Sequence, residues 1–145
     1  MPVFETSSAA ETMSLGRRLA ARLGPGSVVA FYGELGAGKT TMIKGIAEGL
    51  GVRETVKSPS FVVATEYQGD LPVSHVDLYR IAGPEGLESI DLEGYIGERG
   101  VCLIEWADRA GEDLPDERIS VYIEISGTGR RVRIEGLEVL PDQSV

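Results

Sequence analysis

Residues 33–41 read GELGAGKTT. Gly33, Glu34, Leu35, Gly36, Ala37, Gly38, Lys39 and Thr40 match G-x-x-x-x-G-K-[ST] in full, and Thr41 follows. Val28-Val29-Ala30-Phe31-Tyr32 come just before. The stretch Ser27 to Tyr32 is short, apolar and β-branched, which predicts a buried strand. Gly38 to Leu50 reads as a helix that Gly51 stops. In that context the loop reads as a phosphate grip. Glycines let backbone N–H groups turn inward around a β-phosphate. The helix N-terminus adds the positive end of its dipole. Lys39 can reach β- and γ-phosphates, and the Thr40 hydroxyl is placed to ligate Mg²⁺. The bland alternative, a chance glycine loop before a helix, does not account for strand, loop and helix falling in register.

The chain has 145 residues, which suits one domain spanning 1–145. Apolar residues make up 42%, enough for a real core. Nineteen glycines suit a fold with many tight turns and backbone-lined loops. The net charge of −9 argues against a chain that holds RNA or DNA on its own surface or docks on an anionic membrane. A nucleotide in a dedicated loop is still compatible with that charge, because local N–H groups do the work. Cys102, the one cysteine, lies in the apolar run Val101-Cys102-Leu103-Ile104 and reads as a small buried hydrophobe. No basic region followed by an apolar stretch opens the chain, and no run approaches the roughly 18 apolar residues of a membrane helix. The expected location is the cytoplasm.

Outward from the loop, alternating elements predict an α/β fold. Ser8 and Glu11 fit a capping box, and Leu15, Leu19 and Leu23 recur at helical spacing, so a helix is expected over about Ala9 to Leu23. Gly51 to Pro59 reads as an exposed loop. Phe61 to Tyr67 and Val73 to Tyr79 are strand candidates. Pro84 to Glu98 has helical tendency broken by glycines, and Val101 to Trp106 is another buried strand. Ile119, Val121, Ile123 and Ile125 alternate, and Val132 and Ile134 repeat the pattern after Gly127-Thr128-Gly129. That predicts a C-terminal antiparallel hairpin with one wet face. Residues 141–145 read as a frayed tail.

A Mg²⁺-dependent nucleotide site needs an acid at the end of a neighbouring strand. Glu105 ends one apolar run, and Asp77 lies in His75-Val76-Asp77-Leu78-Tyr79-Arg80. A carboxylate ending a buried strand implies a partner, either a metal or a basic residue such as Arg80 or Arg109. His75 is the only histidine, so a zinc cluster is excluded. It reads as structural, with contact to a γ-phosphate as the alternative. The N/T-K-x-D element by which Ras-type GTPases read guanine does not occur, so ATP is favoured. Arg109 is followed by Glu112-Asp113 and Asp116-Glu117, a poor arginine lid for a small-molecule kinase. Lys57-Ser58-Pro59-Ser60-Phe61 lies where a γ-phosphate-sensing loop would, or is a plain proline turn.

GELGAGKTT, KSPSF, HVDLYR and LIEWADR, in that order in so short a chain, resemble the TsaE family, formerly called YjeE. The likeness runs from about Thr12 to Arg131. It implies a compact P-loop NTPase fold with a mixed parallel and antiparallel sheet flanked by helices. It implies weak ATP hydrolysis with ATP and Mg²⁺ as cofactors, in the threonylcarbamoyladenosine modification of tRNA. The implied partners are TsaB and TsaD, TsaD transferring the threonylcarbamoyl group and TsaE resetting the complex. By position, Lys39 and Thr40 are the P-loop pair, Glu105 the Mg²⁺-associated glutamate and Asp77 the second acid. Trp106 matches the tryptophan beside that glutamate. Thr12 and Arg130 fall where the family contacts the base and ribose side of the nucleotide. Ser60 stands where the switch motif usually has threonine, keeping the hydroxyl, and Ala107 stands where proline is common.

A nucleotide-gated binding module without essential hydrolysis, and a small-molecule kinase, are the competing readings. Lys39→Ala removes a charge-assisted phosphate contact worth about 1.5–3 kcal/mol. Nucleotide affinity measured by titration should therefore fall about tenfold to a hundredfold. Unchanged affinity would move the site away from this loop.

Overall fold

The computed structural model describes residues 2–34, 36–54, 56, 64–79, 92–97, 99–110 and 114–137. Its strands are β1 (Val3–Thr6), β2 (Val28–Tyr32), β3 (Ala64–Gln68), β4 (Pro72–Asp77), β5 (Val101–Glu105), β6 (Ile119–Ser126) and β7 (Gly129–Glu135). The helices are α1 (Ala9–Ala20), α2 (Lys39–Gly49) and the single turn α3 (Leu92–Tyr95), with a 3-10 turn at Ala107–Arg109. The strands form one sheet in the order β1-β7-β6-β2-β5-β4-β3. Its four central strands, β6-β2-β5-β4, run parallel. Antiparallel pairing takes over at both sides, through β3 on β4 and through β7 and β1 beyond β6.

The continuous apolar runs of β2 and β5 follow from this position, because a central parallel strand is covered on both faces. Val29, Phe31 and Leu103 pack under α1 and α2 with Leu15, Leu19, Met42, Ile43 and Ile46. Val28, Ala30, Cys102 and Ile104 pack on the opposite face with Leu92, Ala107, Ala110 and Leu114. Burial pushes the Cys102 thiol up to about 12, so it behaves as the small hydrophobe expected. The hairpin keeps its one wet face through most of its length: Val121, Ile123, Val132 and Ile134 are buried and Glu124 and Arg131 exposed, but Ile125, expected to face inward, is exposed where β6 runs out toward the turn. Among the described residues, no helix is long and apolar enough to cross a membrane.

Helix α1 begins at the Ser8 cap that its sequence predicts, with the Glu11 carboxylate reaching one residue further back than a capping box requires. The Glu11 amide donates to the Ser8 hydroxyl at 3.2 Å, and the Glu11 carboxylate accepts from the Ser7 amide and hydroxyl. It ends at Ala20 rather than Leu23. The amides of Arg22 and Leu23 bond the carbonyls three residues back, which tightens the exit into turns. The two long helices pack very closely because glycines line their contact. A Cβ at Gly16 would collide with the Met42 carbonyl, and one at Gly45 with the Met13 carbonyl.

Other differences have local causes. β4 stops at Asp77, short of Tyr79, because the Asp77 carboxylate accepts the Tyr79 amide at 2.9 Å and turns the chain. β5 stops at Glu105 because Trp106 is left-handed, at φ 56°. β1 was not anticipated from its four residues; it exists by pairing with β7, Val3 opposite Arg133 through Thr6 opposite Arg130. Of the helical tendency over Pro84 to Glu98, only 92–97 lie within the described residues, and of these Leu92–Tyr95 form a helical turn. Most of the Gly51–Pro59 loop's second half, Phe61 to Val63 of the strand candidate, and the tail at 141–145 lie outside them.

Gly45→Ala tests the helix contact. Alanine favours a helix by about 0.8–1 kcal/mol over glycine. Here its Cβ meets backbone that cannot rotate away, and overpacking costs about 1–3 kcal/mol. Urea unfolding should show a net loss of stability for Gly45→Ala. Gly24→Ala, placed in open space, should show none.

Candidate functional site

Strand register decides what meets at the loop. Phe31 of β2 and Asp77 of β4 both pair with Glu105 of β5, so three carboxyl ends finish level. The phosphate-type loop leaves β2 at that edge, and β6 returns on the other side of β2. This is the crevice where open α/β sheets hold ligands, beyond the carboxyl ends where strand order reverses.

The loop's own geometry leaves donors for an anion. Gly38 sits at φ 108° directly before α2, and no side chain caps that helix. α1, by contrast, has the Ser8 cap and Glu11 in its first turn. The first amides of α2 therefore keep their donor capacity at the positive end of the helix dipole. Gly33 admits no side chain, since a Cβ would strike the Ile123 carbonyl. The Lys39 ammonium donates to the carbonyls of Gly33 and Glu34, the latter at 3.2 Å, and lies 3.8 Å from the Trp106 ring centre. Burial lowers the Lys39 pKa, and the charges of Glu105, Asp77 and Asp108 oppose that shift.

Glu105 is only 3% exposed and is anchored from two sides. The Thr40 hydroxyl donates toward its two oxygens, at 3.1 and 3.3 Å. His75 Nε2 approaches Oε2 at 2.6 Å, and the imidazole is fully buried. Of the two arginines, Arg80 lies outside the described residues, and the Arg109 guanidinium lies over the Tyr79 and Trp106 rings. His75 thus gains a role beyond general packing, as the second anchor of Glu105. The clue was present in the sequence. His75 and Asp77 are two residues apart, so they share a strand face with whatever the neighbouring strand presents.

The residues fit Mg²⁺. Among the described residues no group of three or more His, Cys, Asp or Glu side chains gathers as a cage. Mg²⁺ does not require one, because it is commonly held by one or two carboxylates with phosphate oxygens and waters. A threonine hydroxyl hydrogen-bonded to a buried glutamate, with Asp77 level on the next strand, supplies such an oxygen set.

The remaining expected residues divide. Thr12, Thr41, Gly36, Gly38 and Arg130 border one cavity of about 160 Å³ beside the loop. The Thr12 hydroxyl is 2.7 Å from that of Thr6 and 3.3 Å from the Ser8 carbonyl. Ala37 is fully buried behind the loop, and Glu34 offers its carbonyl to Lys39. Leu35 and Ser60, with the rest of 57–61, lie outside the described residues.

Similarity to known proteins covers most of the chain. Residues 6–133 match the sequence model of the family described as "Threonylcarbamoyl adenosine biosynthesis protein TsaE". The chain is 42% identical over 129 residues to the tRNA threonylcarbamoyladenosine biosynthesis protein TsaE of Bacillus subtilis, covering 88% of this chain and 80% of that one. It is 37% identical over 124 residues to the protein of the same description from Treponema pallidum, covering 86% and 92%. The fold is similar to a crystal structure of Bacillus subtilis YdiB, with a TM-score of 0.77, 38% identity, and 90% and 82% of the two chains covered.

His75→Leu leaves a buried carboxylate short of one donor. A hydrogen bond to a charged group contributes about 1.5–3 kcal/mol. Urea unfolding at neutral pH should show a loss of that order, and His75→Gln, which keeps an N–H donor, should recover part of it. Equal stability of the leucine variant would remove the anchor.

Proposed function

The chain belongs to the TsaE family of tRNA threonylcarbamoyladenosine biosynthesis, and from that premise we propose that it is a Mg²⁺-dependent ATPase that drives or resets a TsaB–TsaD complex. One observation carries the reading. The buried carboxylate ending β5 is hydrogen-bonded to the hydroxyl of the phosphate-loop threonine, Glu105 to Thr40. A loop used only for structure would not require a desolvated acid at that hydroxyl.

In this reading 1–145 is a single nucleotide-binding domain acting in the cytoplasm. The amides of the loop from Gly33 to Thr41 and the start of α2 cradle the β-phosphate. Lys39, released from the carbonyls of Gly33 and Glu34, neutralises the β- and γ-phosphates. Thr40, Glu105 and Asp77 would hold Mg²⁺, which when bound offsets charge on the phosphate oxygens. His75 keeps the Glu105 carboxylate turned toward Thr40. Thr12, Thr41 and Arg130 border the space for the nucleoside end, and Trp106 shields the lysine. The Ser60 hydroxyl serves the γ-phosphate side. The acidic chain leaves tRNA to its partners, since holding it would need a basic surface.

ATP turnover should be slow for the isolated protein and faster with purified TsaB and TsaD. Glu105→Ala should lower the stimulated rate about a hundredfold or more, the scale of losing a charge-organising group at a transition state. No stimulation and no co-elution would sink the proposal. Modification that survives Glu105→Ala would favour nucleotide-gated binding without essential hydrolysis. Phosphate transfer from ATP to a metabolite would favour a kinase.

A further inference from the structure

Arg130 is the second residue of β7, 93 residues after the loop carbonyl that it reaches. All three of its guanidinium nitrogens donate to main-chain oxygens. Nε bonds the Ala37 carbonyl at 2.8 Å, Nη2 the Gly36 carbonyl at 3.2 Å, and Nη1 the carbonyl of its own neighbour Gly129 at 2.8 Å. We propose that Arg130 is a positioning residue that clamps the phosphate loop: it draws the Gly36 and Ala37 carbonyls outward and so aims the loop's amide donors inward. The proposal rests on the nucleotide-binding reading of the loop, and it assigns Arg130 an effect on phosphate that does not pass through the base or ribose.

The physics is that of a planar trans peptide. The C=O of one residue and the N–H of the next point in opposite directions. A carbonyl held on one side of the loop therefore turns the following amide to the other side. The Ala37 amide is already taken by the Glu34 carbonyl, at 3.0 Å within the loop. The Gly38 amide, in the peptide whose carbonyl takes the 2.8 Å bond, is the donor that the clamp directs. A cation on that carbonyl also polarises the peptide and strengthens its N–H as a donor.

The clamp starts from a rigid base. Arg130 is paired with Thr6 of β1 on one side and Ile125 of β6 on the other. A Cβ at Gly129 would strike the Thr6 carbonyl, so the hairpin end is pressed onto the end of β1. The planar fork meets the two carbonyls through separate nitrogens held in a fixed geometry, whereas a lysine ammonium is a single point donor on a flexible stem. Gly36 and Gly38 both have left-handed φ, at 83° and 108°, and glycine's freedom there is what an external clamp would restrain. A donor array ordered before the ligand arrives binds more tightly, because less ordering remains to be done.

The test uses the full chain, first without nucleotide. Amide hydrogen exchange is compared for the unaltered protein, Arg130→Met and Arg130→Lys, followed by ADP titration of each. In the ligand-free methionine variant, exchange at Ala37, whose amide the Glu34 carbonyl holds, should rise about tenfold, with β2 and β5 unchanged, and ADP affinity should fall by a similar factor. Lysine, which keeps the charge but not the fixed fork, should lie between. Three results overturn the proposal: weaker ADP binding with unchanged ligand-free exchange, which marks a direct contact; no change in either; or exchange rising equally through β2 and β5, which marks a general stabiliser. If the unaltered chain binds no ADP while loop exchange still rises in the variant, the clamp stands and the nucleotide reading fails.

Discussion

Glu105 sits at 3% exposure at the end of a central strand, where ionising a carboxylate without partners would cost several kcal/mol. The structure around it is organised by the need to satisfy those two oxygens. Thr40 comes from the first turn of α2, and His75 from the strand next door. The lysine one residue before Thr40 adds a charge close enough to interact with Glu105. Three elements distant in sequence are thus tied at one group. A buried ion held by several donors gives position as well as stability, because each donor fails if another element shifts.

The phosphate-type loop hangs between that carboxylate and the C-terminal hairpin. On the β5 side it is held through Thr40 and Lys39. On the β7 side Arg130 grips two of its carbonyls. Beneath it α2 is pressed against α1 by glycines that remove the side chains between them. The loop can therefore be rich in glycine, and individually permissive, while the fold around it restricts its conformation. Trp106 carries a different kind of constraint: a bulky residue at φ 56° immediately after Glu105, with its ring against Lys39. Such backbone is unfavourable by about 1–3 kcal/mol and persists only where its surroundings hold it.

Legibility in the sequence followed the range of the forces involved. The strand before the loop, the helix after it, the α1 cap and the alternating hairpin were all readable, since each rests on period, capping or turn chemistry within about fifteen residues. β1 was not readable, because four residues carry too little pattern and their strand exists only through β7. The ends of β4 and β5 were overextended by one or two residues. An Asp77 side-chain bond and a left-handed Trp106 stop them, and apolar pattern records neither.

The sequence by itself determined the phosphate-type loop, its flanking strand and helix, the two acids at strand ends, and the family resemblance. These are local facts, or fixed spacings, and backbone geometry translates them directly. Only the tertiary structure decided which groups meet. It put Glu105 against Thr40 and His75, and brought Arg130 from the far hairpin onto the loop carbonyls. It also set the strand order, placing β1 beside β7 at one edge and β3 beside β4 at the other. Strand order and register are settled by burying two sheet faces at once, and that is a property of the whole packed chain rather than of any window along it.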